Sequence, residues 1–273
     1  MNTLRVLLIG DVVGAAGRAM FQKHIDKVRR THNINAVIVN GENSANGRGI
    51  TPKIARFFHH NGADVITTGN HVWHHKEIYP YIQEHSDLLR PANFPVAAPG
   101  VGVTTFMVGE HRVGVINLQG RVFMRDLIDC PFRTADAILT ALQEKTKIIF
   151  VDFHAEATSE KMALSFFLDG RVSGVVGTHT HVQTADERIL PGGTAHITDL
   201  GMTGSFNSML GMKKEPIIEN FLTTVPVRFT PDTSLPIVMC GVWIEVDTQT
   251  GKATDIKRLM ILDNELQVGN END

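Results

Sequence analysis

Apolar runs of strand length alternate with helical patterns along the first part of the chain. The strands predicted there are residues 4–9, 36–40 and 64–68, and the helices are residues 18–32, 52–59 and 76–85. Continuous apolar runs bounded by glycine or polar residues are typical of parallel strands buried on both faces. Thr51 followed by Pro52 has the pattern of a cap and a first helical residue. The alternation therefore predicts strand–helix units.

The second part of the chain adds hairpins to this alternation. The predicted strands are 104–108, 112–118, 147–153 and 172–177, with helices at 134–145 and 159–170. Near the end, residues 236–247 and 253–262 flank the turn TQTG, as in an antiparallel hairpin. No Pro/Gly/Ser linker or charge run divides the sequence. We therefore predict an α/β fold over residues 1–273 as one domain, with two mixed β-sheets packed as a sandwich and flanked by helices.

Polar side chains that can bind metals follow the predicted strands, at the carboxyl end in every case. They are Asp11, Glu42, Asn43, Asn70, His71, His154, His179 and His181. Loops at the carboxyl ends of parallel strands meet along one edge of a sheet, so these residues are expected to be neighbours. Imidazole combined with carboxylate and amide oxygens suits Zn, Fe(II), Mn or Ni better than Mg or Ca. This placement predicts a dinuclear metal site.

The first of these segments has three interpretations. The sequence GDVVGAAG at 10–17 lies between a strand and a helix, as a phosphate-binding glycine loop does, and Glu42 ends the next strand, where a Rossmann fold has its ribose-binding acid. However, the glycine spacing is wider than in that motif, and Asp11 would repel a pyrophosphate. From this segment alone, a nucleotide loop, a metal ligand and a plain turn remain open. A nicotinamide-dependent oxidoreductase would leave His179 and His181 unexplained.

Composition narrows the class of protein. The chain has 273 residues, 42% hydrophobic and 20% charged, as in an ordinary globular protein. A net charge of -3 gives no electrostatic footprint for duplex nucleic acid, and no apolar run is long enough to span a membrane. Two cysteines, Cys130 and Cys240, and no secretory segment lead us to expect a reducing, cytoplasmic location without a disulfide. Because there are thirteen histidines, single His pairs could be incidental.

The motifs GD, GEN, GNH, a lone histidine after a strand and GTHTH, in that order, resemble the calcineurin-like metallophosphoesterase superfamily, and most closely its bacterial YmdB-like branch. The resemblance covers nearly the whole chain, including residues 117–124, 129–136 and 198–216. It implies an α/β/β/α fold and a metal-dependent phosphodiesterase. The implied substrate is a small nucleotide phosphodiester, with 2',3'-cyclic mononucleotides as the class.

The resemblance also implies a role for each site residue. Asp11 and His181 would bind one ion together with Asn43, Glu42 would bridge, and a second ion would be held by Asn70, His154 and His179. His71 would be the proton donor. The superfamily's usual Asp-x-His opening is Asp11-Val12-Val13 here, so one histidine ligand is missing. The implied cofactors are two divalent ions per chain, with iron favoured and manganese or zinc as substitutes.

Two loops and a third class of function complete the expectations. Glycines and polar residues at 201–214 suit a mobile loop over the metals, with core or interface packing as the plain role of its methionines. The apolar stretch 121–133 could line the pocket or form a subunit interface, and we expect a homo-oligomer. A regulatory protein that binds metal or nucleotide with little turnover is the remaining alternative.

Overall fold

The computed structural model describes residues 2–269, which form strands and helices in close alternation. The strands are β1 (Thr3–Ile9), β2 (Asp11–Val12), β3 (Ala36–Asn40), β4 (Val65–Thr67), β5 (Val103–Val108), β6 (His111–Gln119), β7 (Ile148–His154), β8 (Gly174–Thr178), β9 (Arg188–Ile189), β10 (Ala195–Ile197), β11 (Met202–Ser205), β12 (Ile237–Asp247) and β13 (Ala253–Asp263). The helices are α1 (Gly14–His32), α2 (Pro52–His60), α3 (Ile78–Glu84), α4 (Pro131–Leu142), α5 (Thr158–Phe167) and α6 (Lys214–Thr223).

The strands form two mixed sheets. The first has the order β2-β11-β12-β1-β3-β4, with β13 beside β12, and the second has the order β5-β6-β7-β8-β10-β9. In the first sheet β1, β3 and β4 are parallel, whereas β12 runs antiparallel to β1 and forms the C-terminal hairpin with β13. In the second sheet β6, β7, β8 and β10 are parallel. The parallel strands of each sheet end along one edge, which is where the candidate site lies.

Three apolar layers hold the sheets and helices together. Alternate residues of β1 show how one strand serves two layers: Leu8 packs between the sheets, while Leu7 packs against the helices of the first sheet. The layer between the sheets also contains Phe150 and Ile244, and a third layer packs the outer face of the second sheet against α4 and α5. Burying such a side chain stabilises the fold by about 1.5–3 kcal/mol. The predicted α/β/β/α arrangement is confirmed.

Helix α1 begins earlier than its apolar pattern predicts. The expected start is Arg18, but the chain turns into the helix at Gly14, so the second half of the glycine-rich segment is helical. The reason is local: Asp11 and Val12 pair with β11, which brings the first turn of α1 close to that strand. A Cβ on Gly17 would lie 2.2 Å from the Thr203 carbonyl oxygen, so this glycine serves close helix–strand packing. The segment is not an extended phosphate loop.

The remaining differences concern short elements. Helix α4 covers 131–142 rather than 134–145, because Pro131 occupies its first turn. The segment expected to be a mobile loop contains β11, whose residues are all buried, and ends where α6 begins. Four residues of Met, Thr, Gly and Ser carry no apolar run, so the strand leaves no clear pattern in the sequence. Met202 is buried, in agreement with the plain packing role.

Other expectations can be compared directly with the structure. Thr51 caps α2, since its side-chain oxygen accepts a hydrogen bond from the Ile54 backbone N–H at 3.3 Å. Cys130 and Cys240 are free thiols, as expected. Within residues 2–269, we find no helix with the length and apolar character needed to cross a bilayer.

Candidate metal centre

The candidate site is built by both sheets. The first sheet delivers Asp11 from β2 and three polar groups that follow β3 and β4, and the second sheet delivers the end of β7 and the loop after β8. The residues that follow β3 and β4 are Glu42, Asn43 and Asn70, and those from the second sheet are His154, His179 and His181. The structure thus brings all seven predicted ligands to one edge of the sandwich, although they lie up to 170 positions apart in sequence.

One group of donor atoms surrounds the imidazole of His154, which is fully buried. Its Nε2 atom lies 2.9 Å from Asn70 Oδ1, 3.0 Å from His179 Nδ1 and 3.2 Å from Glu42 Oε1. A single ring proton can serve only one of these three acceptors at a time. A divalent cation can be shared by all four atoms, so the chemistry of this donor set fits a metal ion.

A second group surrounds the amide of Asn43. Its Nδ2 atom lies 3.3 Å from Asp11 Oδ1, 3.1 Å from Glu42 Oε1 and 3.1 Å from His181 Nε2. The amide has two hydrogens for three acceptors. Rotation by 180° about the last side-chain torsion would put the Asn43 oxygen in the place of Nδ2, which is the orientation that a metal ligand requires. This set also fits an ion.

Glu42 belongs to both groups and therefore occupies the bridging position. Its Oε1 atom is the one that contacts Asn43 and His154, while Oε2 accepts a hydrogen bond from the His71 backbone N–H at 3.2 Å. Asp11 divides its oxygens in the same way, since Oδ2 accepts from the His179 backbone N–H at 3.0 Å. In each carboxylate, one oxygen is thus held by a backbone N–H, and the other lies among the candidate metal-binding atoms. Ligand atoms of Glu42, His154 and His179 all lie within 4.8 Å of one another.

Charge in the site is balanced between carboxylates and imidazoles. Burial alone would raise the pKa of Asp11, but the His181 imidazole holds that pKa below its usual value, and His154 does the same for Glu42. In return, and against the effect of burial, Asp11 raises the pKa of His181 to about 9. Burial and the neighbouring His154 lower the pKa of His179 to about 3, so its ring is neutral. Both carboxylates are therefore kept negatively charged and favour the binding of cations.

His71 lies beside these donors. Its Nδ1 atom is 2.9 Å from Asn43 Oδ1 and 3.3 Å from Glu42 Oε1, and its side chain is 30% exposed. Since Nδ1 is occupied by these two contacts, Nε2 is the atom available to a substrate. His71 also lines the cavity over the site. His71 therefore lies between the candidate ligands and the cavity.

The loop that carries His179 and His181 is held in an unusual conformation. Both residues have positive φ, 102° and 66°, which costs an L-residue free energy and persists where surrounding contacts impose it. The Asp199 carboxylate accepts a hydrogen bond from the Thr180 N–H at 3.1 Å and pairs with Lys161 at 2.7 Å. His181 Nδ1 donates to the Leu210 carbonyl oxygen at 2.9 Å. The loop is therefore anchored on both sides of the histidines.

A buried polar chain orients His154. Its Nδ1 donates to Thr178 Oγ1 at 3.0 Å, and that hydroxyl donates to Asp152 Oδ1 at 2.8 Å. The other Asp152 oxygen accepts from Thr67 at 2.5 Å and from Asn40 at 3.1 Å. This arrangement fixes the tautomer of His154 and turns Nε2 toward Glu42.

Sequence reasoning missed these supporting residues. Asp199 follows β10, a three-residue strand that was not predicted, so its place at a strand end was hidden. Thr178 ends β8 and directly precedes the His pair, which is the one signal that could have identified it. Lys161 stands on α5 and gives no local signal, because only the packing of α5 brings it to Asp199. Strand ends in the sequence indicate the candidate ligands, but they do not indicate the residues that hold those ligands in place through hydrogen bonds.

A cavity of about 460 Å³ lies over the donor atoms. Its polar wall includes Glu42, Asn43 and the two loop histidines. Its apolar lining comes from α6 and the segments on either side of it, with Met209, Ile217, Phe221 and Phe229. Arg48 also lines the cavity. A molecule with an anionic end and a flat apolar part would fit both walls.

Comparison with known proteins agrees with this geometry. The model of the YmdB-like protein family matches residues 7–259. A Bacillus subtilis protein named 2',3'-cyclic-nucleotide 2'-phosphodiesterase is 50% identical over 263 residues, which are 96% of this chain and 99% of that protein.

Two solved structures are also similar along nearly their whole length. A structure described as a novel phosphatase from Mycoplasma pneumoniae has a TM-score of 0.91 and 33% identity, over 97% of this chain and 95% of that one. A Thermus thermophilus protein of hypothetical status has a TM-score of 0.88 and 38% identity, over 95% of this chain and 100% of that one. With the family model spanning both sheets and every candidate donor, this chain belongs to the YmdB-like protein family.

Proposed function

We propose that the protein is a metal-dependent phosphodiesterase that hydrolyses 2',3'-cyclic nucleotide monophosphates at a dinuclear centre. The observation that carries the proposal is the pair of donor groups joined by Glu42, with Asp11, Asn43 and His181 on one side and Asn70, His154 and His179 on the other. The phosphodiesterase name of the 50% identical Bacillus subtilis relative supports the reaction and the substrate class.

Several residues of this chain would have separate roles in the hydrolysis of the phosphodiester. Two divalent ions, when bound, would polarise the phosphoryl oxygens and acidify the attacking water. Glu42 and Asp11 fix where the ions sit, because each is anchored through its second oxygen to a backbone N–H. With the Asn43 amide turned as a metal ligand requires, its Nδ2 would donate to His71 Nδ1 and leave the ring proton on Nε2, from which His71 would give it to the ribose oxygen that leaves phosphorus.

The donor set bears on which metal is used. Three imidazoles in all, two at one group and one at the other, favour borderline transition metals over Mg or Ca. The group with Asp11, Asn43 and His181 is richer in oxygen, because Val13 stands where the wider superfamily has a histidine. We propose iron as the native metal, with manganese or zinc as functional substitutes.

The apolar wall of the cavity accounts for a nucleotide rather than inorganic phosphate as substrate. Phe221 and Phe229 line the same cavity as the donor residues. Aromatic side chains stack on nucleobases with little preference for sequence, at about 1–3 kcal/mol for each base. We propose that the base lies against this wall while the cyclic phosphate lies at the metals.

The first test combines metal analysis with turnover. Protein purified without chelator should contain two metal ions per chain and hydrolyse 2',3'-cyclic AMP. Glu42→Gln removes the bridging charge and should lower metal content and activity together, whereas Glu144→Gln, an exposed change in the turn that follows α4, should alter neither. Metal-free protein that stays inactive with added Mn or Fe would refute the proposal and favour a regulatory binding role.

We also propose that the chain forms a homo-oligomer. Support comes from apolar side chains left in solvent: Phe123 is 86% exposed and Leu127 is 95% exposed in the stretch predicted to be an interface. Large exposed apolar groups that lie together mark interaction surfaces. Sedimentation analysis of the wild type and of Phe123→Ser with Leu127→Ser would show a smaller species for the variant, and a monomeric wild type would refute the proposal.

A further inference from the structure

A second cavity adjoins the one over the metal centre. Its volume is about 490 Å³, and it shares Arg48, Met212 and Phe229 with the first cavity. Besides the shared Arg48, it is lined by three basic or titratable side chains that the first cavity lacks: His74, His75 and Arg228. None of its lining residues is an aspartate or glutamate. The two cavities are therefore adjacent, one beside the candidate ligands and the other lined by cationic side chains.

The arrangement of these groups is fixed by packing. The loop with Arg48 lies directly on the segment with the two histidines, since His75 Nε2 is 3.0 Å from the Arg48 carbonyl oxygen. A Cβ on Gly49 would lie 2.7 Å from the His75 ring and 2.9 Å from His74 Cβ, so only glycine permits this contact. Within residues 2–269, neither Arg48 nor Arg228 forms an ion pair. The guanidinium groups are therefore available to an anion from outside.

The electrostatic environment of His74 agrees with an anion site. Burial, together with the neighbouring His75, Arg48 and His71, lowers the pKa of His74. All three neighbours disfavour a further positive charge on His74, in agreement with the basic residues that line the cavity. Phosphate is the anion that fits, because arginine recognises its oxygens in a bidentate manner and the metal centre beside it already suits a phosphodiester.

From these contacts we propose that the second cavity binds the 5'-phosphate of the nucleotide whose 2',3'-cyclic phosphate lies at the metal centre, so that the substrate class includes RNA ends and is not limited to free mononucleotides. This inference rests on the proposed phosphodiesterase activity. The terminal base would lie on Phe229, which faces both cavities, and the next phosphate of the chain would meet Arg48 and Arg228.

A third cavity adjoins the second. Its volume is about 240 Å³, it shares Ala45, Asn46 and His75 with the second, and it adds the side chain of Lys53 at the start of α2. A further nucleotide attached through the 5'-phosphate could therefore lie in the third cavity, with its phosphate near Lys53. The net charge of -3 is compatible with this, because a short single strand needs only a local cationic path.

Three matched substrates test the proposal: 2',3'-cyclic AMP, the same nucleotide with a 5'-phosphate, and a dinucleotide that ends in a 2',3'-cyclic phosphate. The wild type should show kcat/KM at least tenfold higher for the second and third than for the first. Comparison of the second with the third separates a terminal phosphate monoester from an internal phosphodiester. The slope of log KM against log salt should be steeper by about 0.7 for each additional phosphate contact.

Arg228→Gln provides the matched variant, because Arg228 lines the second cavity and not the first. It should remove most of the gain from the 5'-phosphate and leave turnover of 2',3'-cyclic AMP unchanged. Arg30→Gln, an equal change of charge at an exposed position near the end of α1, should affect none of the three substrates.

Two results would overturn the inference in distinguishable ways. Equal kcat/KM for all three substrates, with Arg228→Gln equal to wild type on each, would refute the second phosphate site while the proposed function stands. No turnover of any of the three by metal-loaded wild type would refute the proposed function itself and this inference with it.

Discussion

At the residue scale, the two ring nitrogens of His71 have different surroundings, and only one of them contacts the candidate ligands. Nδ1 is held by Asn43 and Glu42, and Nε2 remains for the substrate. We therefore expect the role of His71 to depend on the leaving group. His71→Ala should slow hydrolysis of 2',3'-cyclic AMP by about 10²- to 10⁴-fold, because an alkoxide needs a proton as it leaves.

The same variant should hydrolyse bis-p-nitrophenyl phosphate at close to the wild-type rate, because nitrophenolate leaves without protonation. Metal content, measured on both proteins, is the control and should be unchanged. Equal losses on the two esters would contradict proton donation by His71 and point to a role in holding Asn43.

Thr178 supports a second prediction at this scale. Its hydroxyl accepts from His154 Nδ1 and donates to Asp152, so it keeps His154 Nε2 directed at the other donors. Thr178→Val has nearly the same shape but lacks the hydroxyl, and it should weaken metal binding by about 10- to 100-fold. Thr178→Ser keeps the hydroxyl and should bind metal as the wild type does. Competition with a chromogenic chelator measures both, and equal weakening in the two variants would refute the orienting role.

At the element scale, the loop after β8 depends on an ion pair that the loop itself does not contain. Lys161 on α5 and Asp199 after β10 are buried, with side chains 2% and 1% exposed, and Asp199 also accepts from the loop. Lys161→Met leaves the Asp199 charge buried without its partner, so we expect a loss of about 3–5 kcal/mol in the free energy of unfolding. Urea denaturation measures it.

Lys257 provides the control for this prediction. It pairs with Asp255 at 3.5 Å, but its side chain is 60% exposed, and such surface pairs contribute about 0–1 kcal/mol. Lys257→Met should therefore change stability little. If both variants lost the same amount, the Lys161–Asp199 pair would have no special role in stability.

Elements could be predicted where their own residues carry a pattern. The apolar run at residues 36–40 coincides with β3, and the alternation around TQTG coincides with the hairpin of β12 and β13. The predictions were incomplete for β10, β11 and α6. The two strands have only three and four residues; β10 pairs with β8 and β9, β11 pairs with β2 and β12, and α6 buries only Ile217. Such elements are set by tertiary contacts, which no local pattern contains.

At the scale of the whole molecule, the last strand is fastened to the first helix by Asp263. Its carboxylate lies 2.6 Å from Lys23 Nζ and 2.7 Å from His24 Nε2, and these hydrogen bonds hold the pKa of Asp263 well below its usual value. A carboxylate with a lowered pKa stabilises the fold above its ordinary pKa, about 4, and this stabilisation is lost as pH falls below that value.

Asp263→Asn should therefore cost about 1.5–3 kcal/mol of unfolding free energy near neutral pH, the range for hydrogen bonds to a charged group. The difference from wild type should shrink as the pH falls from about 4. Denaturant unfolding at a series of pH values is the measurement. A difference that stays constant down to the acid range would show that the carboxylate charge is not what fastens the strand.

The sequence predicted which residues come together at the candidate site, but not how their side chains are oriented or which cavity adjoins them. The rule that parallel strands end along one edge was enough to collect Asp11, Glu42 and His154, because each follows its strand directly. It could not give the orientation of the Asn43 amide, which depends on His71, nor the neighbouring cationic cavity. Arg48 and Arg228 in that cavity lie 180 positions apart in loops, where no periodicity relates them.

The division of the donor atoms between the two sheets has a thermodynamic consequence. Asp11, Asn43 and Asn70 come from the first sheet and the loops after its strands, whereas His154, His179 and His181 come from the second, so each bound ion would link the two sheets at the edge of the layer that contains Leu8 and Phe150. A ligand that binds only the assembled sandwich stabilises it by an amount that grows with ligand concentration. Metal concentration would then contribute to the free energy that holds the two sheets together, and a variant with a weakened core would show a lower apparent affinity for metal.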